Sequence, residues 1–297
     1  MVNERLLIVG AGTMGSQIAL QAAIHGVDVN LFDIDDDSLD RARLEADRLL
    51  DRQLQREKLD KQEVGRAREQ LRFSGNLEQA GQDRDWVIEA VAERIEVKRK
   101  VFADLDKILP PHAAIATNSS SIVSSRIADI TSRPDRCLNM HFFHPVLVMD
   151  LCEIVVGPHT SPATAEEAVA WARRIHRHPV MLSGEIDGFV VNRILGAASC
   201  EAFSLVAQHA ATPSDIDTAV RHGLRWHLGP FELADLSGLD VVLDVRRSRY
   251  ERERDPMNLP AIAVLEKLVA EGRLGRKTNA GFYDYSTKPP TPLNVNI

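Results

Sequence analysis

The chain has 297 residues, 44% of them hydrophobic and 27% charged, with a formal net charge of −7. That length predicts two domains of ordinary globular composition. The acidic balance gives no electrostatic reason to expect nucleic acid or an anionic membrane as a partner. The three cysteines, Cys137, Cys152 and Cys200, lack paired spacing and predict neither a disulfide frame nor a metal centre. No apolar run approaches the roughly 20 residues of a membrane span. The first strand begins within a few residues of Met1, which leaves no room for a signal or transit segment. A cytoplasmic protein without a membrane partner is expected.

In chain order, Leu6-Leu7-Ile8-Val9 is a short apolar run ending at glycine, as a buried parallel strand does. Apolar residues then recur at helical spacing from Met14 to Ile24, and Gly26 closes the helix. Residues 27–32 alternate as a second strand. Strand, tight turn, helix and strand within about thirty residues make a βαβ unit. Residues 38–70 are highly charged, with leucines at 39, 44, 49, 50, 54 and 59, and predict a helical pair projecting into solvent. Further strands are predicted at 71–74, 86–89, 113–117, 137–141, 151–156 and 179–182, with helices at 93–109 and 162–177 between them. This alternation implies a mainly parallel, doubly wound sheet of Rossmann type.

The pattern changes after Ser183-Gly184-Glu185-Ile186-Asp187-Gly188. Beyond this joint helices dominate: one from Phe189 to Gln208, one starting at Thr212-Pro213, one from Pro230 to Leu236, and one from Pro260 to Glu271. The expected division is an α/β domain over 1–186, with the helical pair as an insertion, and an all-α domain over 187–297.

Gly10-Ala11-Gly12-Thr13-Met14-Gly15 is a GxGxxG sequence. Alone it is a weak signal. Between a strand and a helix it acquires a mechanism: Gly10 permits the tight turn, Gly12 admits a pyrophosphate, and Gly15 lets the helix pack on the strand. Thr13 and Met14 complete a helix start whose N–H groups and positive end suit phosphates. Asp33 ends the second strand about twenty residues on, where a carboxylate binds ribose hydroxyls. That acid repels a 2′-phosphate, so the predicted cofactor is NAD.

A second constellation comprises Asn118-Ser119-Ser120-Ser121, His141-Phe142-Phe143-His144-Pro145, and Glu153. Oxidising a hydroxyl needs a base with a pKa near working pH, which suits histidine. A carboxylate that orients the ring completes the arrangement. His141 closes one predicted strand and Glu153 sits in the next, so the two can face each other. Each alone has a plainer explanation: a histidine after a strand is more often packed or solvated, and serines also cap helices.

The ordered motifs GAGTMG, LFD, FSGNLEQA, VIEAVAERIEVKRKVF, ATNSSSI, HFFHPVLVMDLCEIV, GFVVNRI, GPFELADLSGLD and KTNAGFYDY run from about residue 5 to 285. Together they resemble the L-3-hydroxyacyl-CoA dehydrogenase family, particularly its bacterial 3-hydroxybutyryl-CoA branch. The resemblance implies NAD-dependent, reversible oxidation of a 3-hydroxyacyl-CoA and an acyl-CoA partner. It places the family's catalytic histidine on His141, its glutamate on Glu153, its substrate serine on Ser120 and its VNR asparagine on Asn192. It implies that Glu93, Lys98 and Asn118 line the nicotinamide end, and that Arg56, Lys58 and Lys61 contact CoA phosphates. It also implies a homodimer built on the C-terminal helices, where Val190, Ile194, Ala197 and Ala198 form an apolar stripe. His144 departs from the family motif, which carries asparagine there, so a difference in acyl specificity is expected. Two alternatives remain open: a dehydrogenase of a free hydroxy acid or sugar acid, and a non-catalytic, crystallin-like cofactor-binding relative.

Overall fold

The computed structural model describes residues 5–295. The chain folds as two compact units, with the break between Val190 and Val191.

The first unit runs β1 (Arg5–Val9), α1 (Thr13–Ile24), β2 (Asp28–Phe32), α2 (Asp36–Gln55), α3 (Lys61–Gln70), β3 (Leu71–Ser74), α4 (Leu77–Gly81), β4 (Trp86–Glu89), α5 (Ile95–Ile108), β5 (Ala114–Thr117), β6 (Cys137–Phe142), β7 (Leu151–Val155), α6 (Pro162–Arg174) and β8 (His178–Leu182). Its eight strands form one sheet in the order β3-β2-β1-β4-β5-β6-β7-β8. Every pairing is parallel except β6 with β7, which is antiparallel. The central strands carry uninterrupted buried runs, as they must when both faces are covered. The chain order reverses at β1/β4, where doubly wound sheets open a ligand crevice beyond their strand ends.

The helical pair at 38–70 does not project freely into solvent. Leu39, Ala42, Ala46 and Leu50 of α2, with Val64 and Ala67 of α3, are buried in the same cluster as Ile18, Ala19 and Ala22 of α1. The buried stripe is half alanine, so a count of leucines understates it, while Leu44 points outward at 71% exposure. Asp60 and Glu63 close a reciprocal capping box that starts α3.

The second unit holds α7 (Val191–Ala207), α8 (Pro213–Gly223), α9 (Pro230–Ser237), α10 (Leu239–Glu253), α11 (Leu259–Ala270) and a short pair of strands, β9 (Tyr283–Asp284) and β10 (Thr291–Pro292). The helix expected from Phe189 starts instead at Val191, because Phe189 has a left-handed backbone with φ of 49°. Helix α10 is absent from the sequence-based expectation: its buried positions are Leu239, Leu243 and Arg246, so a charged residue interrupts its apolar pattern. The core gathers Phe203, Phe231 and Phe282 around Leu265 and Leu268. Asp235 of α9 ties the C-terminal segment to this core by accepting the N–H groups of Phe282 (2.9 Å) and Tyr283 (3.0 Å). Among the described residues no helix is long and apolar enough to cross a membrane.

Candidate active site

The turn from β1 into α1 is built by its glycines. Gly10 has φ of +109°, and a Cβ there would lie 2.6 Å from the carbonyl oxygen of Ala90. A Cβ at Gly15 would run into the carbonyl oxygen of Gly10, so the helix seats on the strand only because both are glycine. Gly12 differs. A Cβ there would meet nothing within 4 Å, so packing within the chain gives no reason for a glycine. What needs the room must approach from outside, as a pyrophosphate does at a helix N-terminus. Gly12 is the N-cap of α1, and no side chain caps the N–H groups of its first turn, where Thr13 is exposed and Met14 half-buried.

Asp33 stands just past β2, half-buried, with both carboxylate oxygens engaged: Oδ2 accepts the N–H of Ala11 (2.7 Å) and Oδ1 that of Asp35 (3.0 Å). The acid therefore braces the glycine turn. The neighbouring Ile34 is 89% exposed, an apolar side chain left in water beside a nucleotide turn. The residues present fit a dinucleotide carrying two ribose hydroxyls.

At the ends of β4 and β5 lies a buried polar network. Lys98 of α5, 1% exposed, donates to Glu89 at 2.8 Å and pairs with Glu93 at 3.2 Å. Glu89 also accepts the hydroxyl of Thr117 (2.7 Å) and the N–H of Val91 (2.7 Å). Burial of so many polar groups is tolerable only when each is satisfied, and here they satisfy one another. Glu93 accepts the hydroxyls of Ser119 and of Ser121 (2.6 Å). Burial alone would raise the Glu93 carboxyl, but these serines and Lys98 hold it below the usual range. Asn139 of β6, fully buried, braces the serine loop by donating to the carbonyls of Ser119 (3.2 Å) and Ile122 (3.1 Å) while accepting the N–H of Ser124 (2.7 Å). Asn118 accepts the N–H of Phe142 at 2.9 Å and so joins this loop to the end of β6. Ser120, between two tethered serines, makes no side-chain hydrogen bond among the described residues and is partly exposed.

His141 and Glu153 are directly opposite in the antiparallel β6–β7 register, on one face of the sheet. The imidazole Nδ1 lies 2.8 Å from Glu153 Oε2, and Glu153 Oε1 accepts the N–H of Val190 at 3.0 Å. The ring is 7% exposed and packs against Phe143, at 4.5 Å between centroids, and against Phe189, edge-on at 5.5 Å. Its Nε2 makes no hydrogen bond among the described residues.

His144 is exposed, with its Nε2 3.4 Å from Nε2 of Gln17 on α1. Gln17 Oε1 meanwhile accepts the N–H of Val146 at 2.8 Å, which ties this loop to the cofactor helix. Asn192 is exposed in the first turn of α7, in the second unit. Arg56, Lys58 and Lys61 cluster around the α2–α3 connection, far along the chain from His141. There Lys58 and Lys61 border a shallow concavity with Leu54, Leu59 and the carboxylates of Glu57, Asp60 and Glu63, and none of the three cations forms an ion pair among the described residues. Sequence reasoning missed Glu89, Asn139, Gln17, Phe189 and Val190. Polar residues inside otherwise apolar strands mark the first two; the last two fall within the GFVVNRI motif, which marks their segment but not its contact with His141 and Glu153.

The sequence profile described as the NAD-binding domain of 3-hydroxyacyl-CoA dehydrogenase matches residues 5–186, and that of the C-terminal domain matches 188–285. With the glycine turn and Asp33, this makes the chain an NAD-dependent dehydrogenase. It belongs to the 3-hydroxyacyl-CoA dehydrogenase family. A probable 3-hydroxybutyryl-CoA dehydrogenase of Bacillus subtilis is 36% identical over 288 residues, which cover 97% of this chain and 99% of the relative. The human mitochondrial hydroxyacyl-coenzyme A dehydrogenase is 34% identical, over 96% of this chain and 92% of its own. The crystal structure of (S)-3-hydroxybutyryl-CoA dehydrogenase from Ralstonia eutropha is similar at a TM-score of 0.87 and 37% identity, over 96% of this chain and 99% of that one.

Proposed function

We propose that the chain oxidises a short 3-hydroxyacyl-CoA to the 3-oxoacyl-CoA, reversibly, with His141 as general base and Glu153 as the group that orients it. The observation that carries this reading is the 2.8 Å contact between His141 Nδ1 and Glu153 Oε2, with Nε2 left open. With Nδ1–H donated to the carboxylate, Nε2 takes the proton of the 3-hydroxyl, and Glu153 stabilises the imidazolium that results. The free hydroxyl of Ser120 and the amide of Asn192 hydrogen-bond the reacting oxygen. NAD, when bound, supplies the hydride acceptor. The backbone from Gly10 through Gly12, Thr13 and Met14 to Gly15 holds its pyrophosphate, Asp33 its ribose, and Glu93, Lys98 and Asn118 border its nicotinamide end.

Arg56, Lys58 and Lys61 are the proposed contacts for CoA phosphates. His144, in place of the family asparagine, is proposed to tune the acyl group accepted. The division of labour is an NAD-binding part over 1–186 and a substrate and dimerisation part over 187–297. A homodimer is supported by Ile194 of α7, an apolar side chain 60% exposed. The place of action is the cytoplasm, in fatty acid metabolism.

The test is formation of reduced cofactor from 3-hydroxybutyryl-CoA and NAD, with wild type and His141→Gln. The wild type turns over, and the variant loses about 10²–10⁴-fold in rate. A His141→Gln protein of near-normal turnover would remove the base assignment, and inhibition by free CoA separates this substrate class from free hydroxy acids.

A further inference from the structure

We propose that Phe189 and Val190 are positioning residues for the His141–Glu153 pair. The proposal rests on the reading of His141 as the base. Both residues belong to the segment that closes the first unit, after β8, and neither carries a group able to do the chemistry itself.

Three observations converge on them. First, Gly188 and Phe189 are consecutive left-handed residues, with φ of +71° and 49°. Glycine takes that conformation freely; a bulky aromatic residue holds it only where the surroundings over-determine it. Secondly, Phe189 is fully buried, packed with Val155 and Leu182 and against Val123, and its ring edge meets the imidazole of His141 at 60°. Phe143 stands 4.5 Å away from the same imidazole, so two aromatic rings pack against it. Thirdly, the left-handed turn at Phe189 delivers the N–H of Val190 to Glu153 Oε1 at 3.0 Å, while Oε2 serves His141.

The physical logic is that of a support for a functional pair. A carboxylate held by a backbone donor cannot rotate away from the imidazole without giving up a buried hydrogen bond. An imidazole packed against a buried ring cannot swing its Nε2 off the line of attack. The energy that keeps an aromatic residue left-handed comes from seating that ring, so the side chain at 189 also fixes the backbone at 190. Glu185, earlier in the same segment, accepts the N–H of Ser125 (2.8 Å) and the hydroxyl of Ser124 (3.0 Å) in the turn that follows the serine loop, which anchors the segment independently of the dyad.

The experiment compares full-length wild type, Phe189→Leu and Phe189→Tyr, with His141→Gln alongside. Two quantities are read: steady-state kinetics with 3-hydroxybutyryl-CoA, and the His141 Nδ1–H resonance with its rate of exchange with water. Phe189→Leu is expected to lower kcat by about 10–100-fold, as small misplacements of reacting groups do, while KM changes by no more than about twofold. Its Nδ1–H exchanges faster than in wild type. Phe189→Tyr keeps the ring and restores most of kcat. The inference is overturned if Phe189→Leu leaves both kcat and the exchange rate unchanged, or if Phe189→Tyr is as impaired as Phe189→Leu. Should Phe189→Leu fail to fold, Phe189→Met, with a more adaptable side chain, takes its place. An active His141→Gln protein removes the base assignment, and the resonance then decides the packing claim on its own. An inactive His141→Gln beside a normal Phe189→Leu removes only the present inference.

Discussion

A methyl group at Gly12 and one at Gly15 ask different questions of the same turn. At Gly15 it collides with the Gly10 carbonyl, so Gly15→Ala is expected to lower the melting temperature and cofactor affinity together. At Gly12 it meets nothing in the chain, so Gly12→Ala is expected to weaken NAD by about tenfold or more while stability changes only by the small cap preference. Thermal melts beside NAD titrations of the two variants check this; equal loss of stability in both would contradict it. The tight turn through Gly10 and Gly15 was legible because such a turn imposes the same steric demand wherever it occurs. The hydrogen bond that Asp33 accepts from Ala11 was not, since it depends on β1 and β2 ending side by side. His144 belongs to this scale too. Its contact with Gln17 sets it beside the cofactor helix, and His144→Asn is expected to shift the preference among 3-hydroxyacyl-CoAs of varied length and terminal polarity. A substrate panel on the two proteins decides it.

Between elements, what the sequence left hidden is register and mixed surfaces. Strands β6 and β7 were both legible from their apolar runs, but the antiparallel pairing that sets His141 opposite Glu153 is a property of two strands together. Helix α10 was hidden because Arg246, 5% exposed, sits where its buried stripe would carry an apolar residue, with its guanidinium on Cys200 Sγ at 2.9 Å. The α2–α3 pair packs more closely than its leucines suggest because alanine supplies half its buried face. The GPFELAD and GFYDY motifs prove to be two halves of one clamp. Asp235 accepts two backbone N–H groups and the hydroxyl of Tyr285 at 3.1 Å, and a Cβ at Gly281 would overlap its carboxylate. Asp235→Ala strands those buried donors and is expected to cost about 3 kcal/mol, read by denaturant titration. Lys98→Met, which leaves Glu89 buried without its cation, is expected to cost about 3–5 kcal/mol and to be partly relieved by a second change, Glu89→Gln.

Across the whole molecule, the change of pattern near residue 186 was legible because strands stop and helices take over. The pH response was not. His25, at the C-terminus of α1, lies 4.0 Å from the ring of His176, between centroids, and burial followed by His176 and Arg177 pushes its pKa down to about 4. Glu63 opposes that shift. The folded pKa lies below the unfolded one, so stability is full above about 6.5 and is lost as pH falls toward 4. His25→Gln is expected to flatten that acid limb in melting curves taken between those limits; an unchanged limb assigns it to other groups.

Packing and family likeness do not divide this chain at the same place. The NAD-binding likeness ends at residue 186, whereas compactness breaks between Val190 and Val191. The residues in between include Phe189 and Val190, which touch His141 and Glu153. A fragment cut at the first border would contain the whole nucleotide turn with His141 and Glu153, yet lack the Phe189 ring and the Val190 N–H that contact them. One cut four residues later would keep its own scaffolding. Anyone transplanting this nucleotide-binding half onto another catalytic partner should therefore take the seam with it.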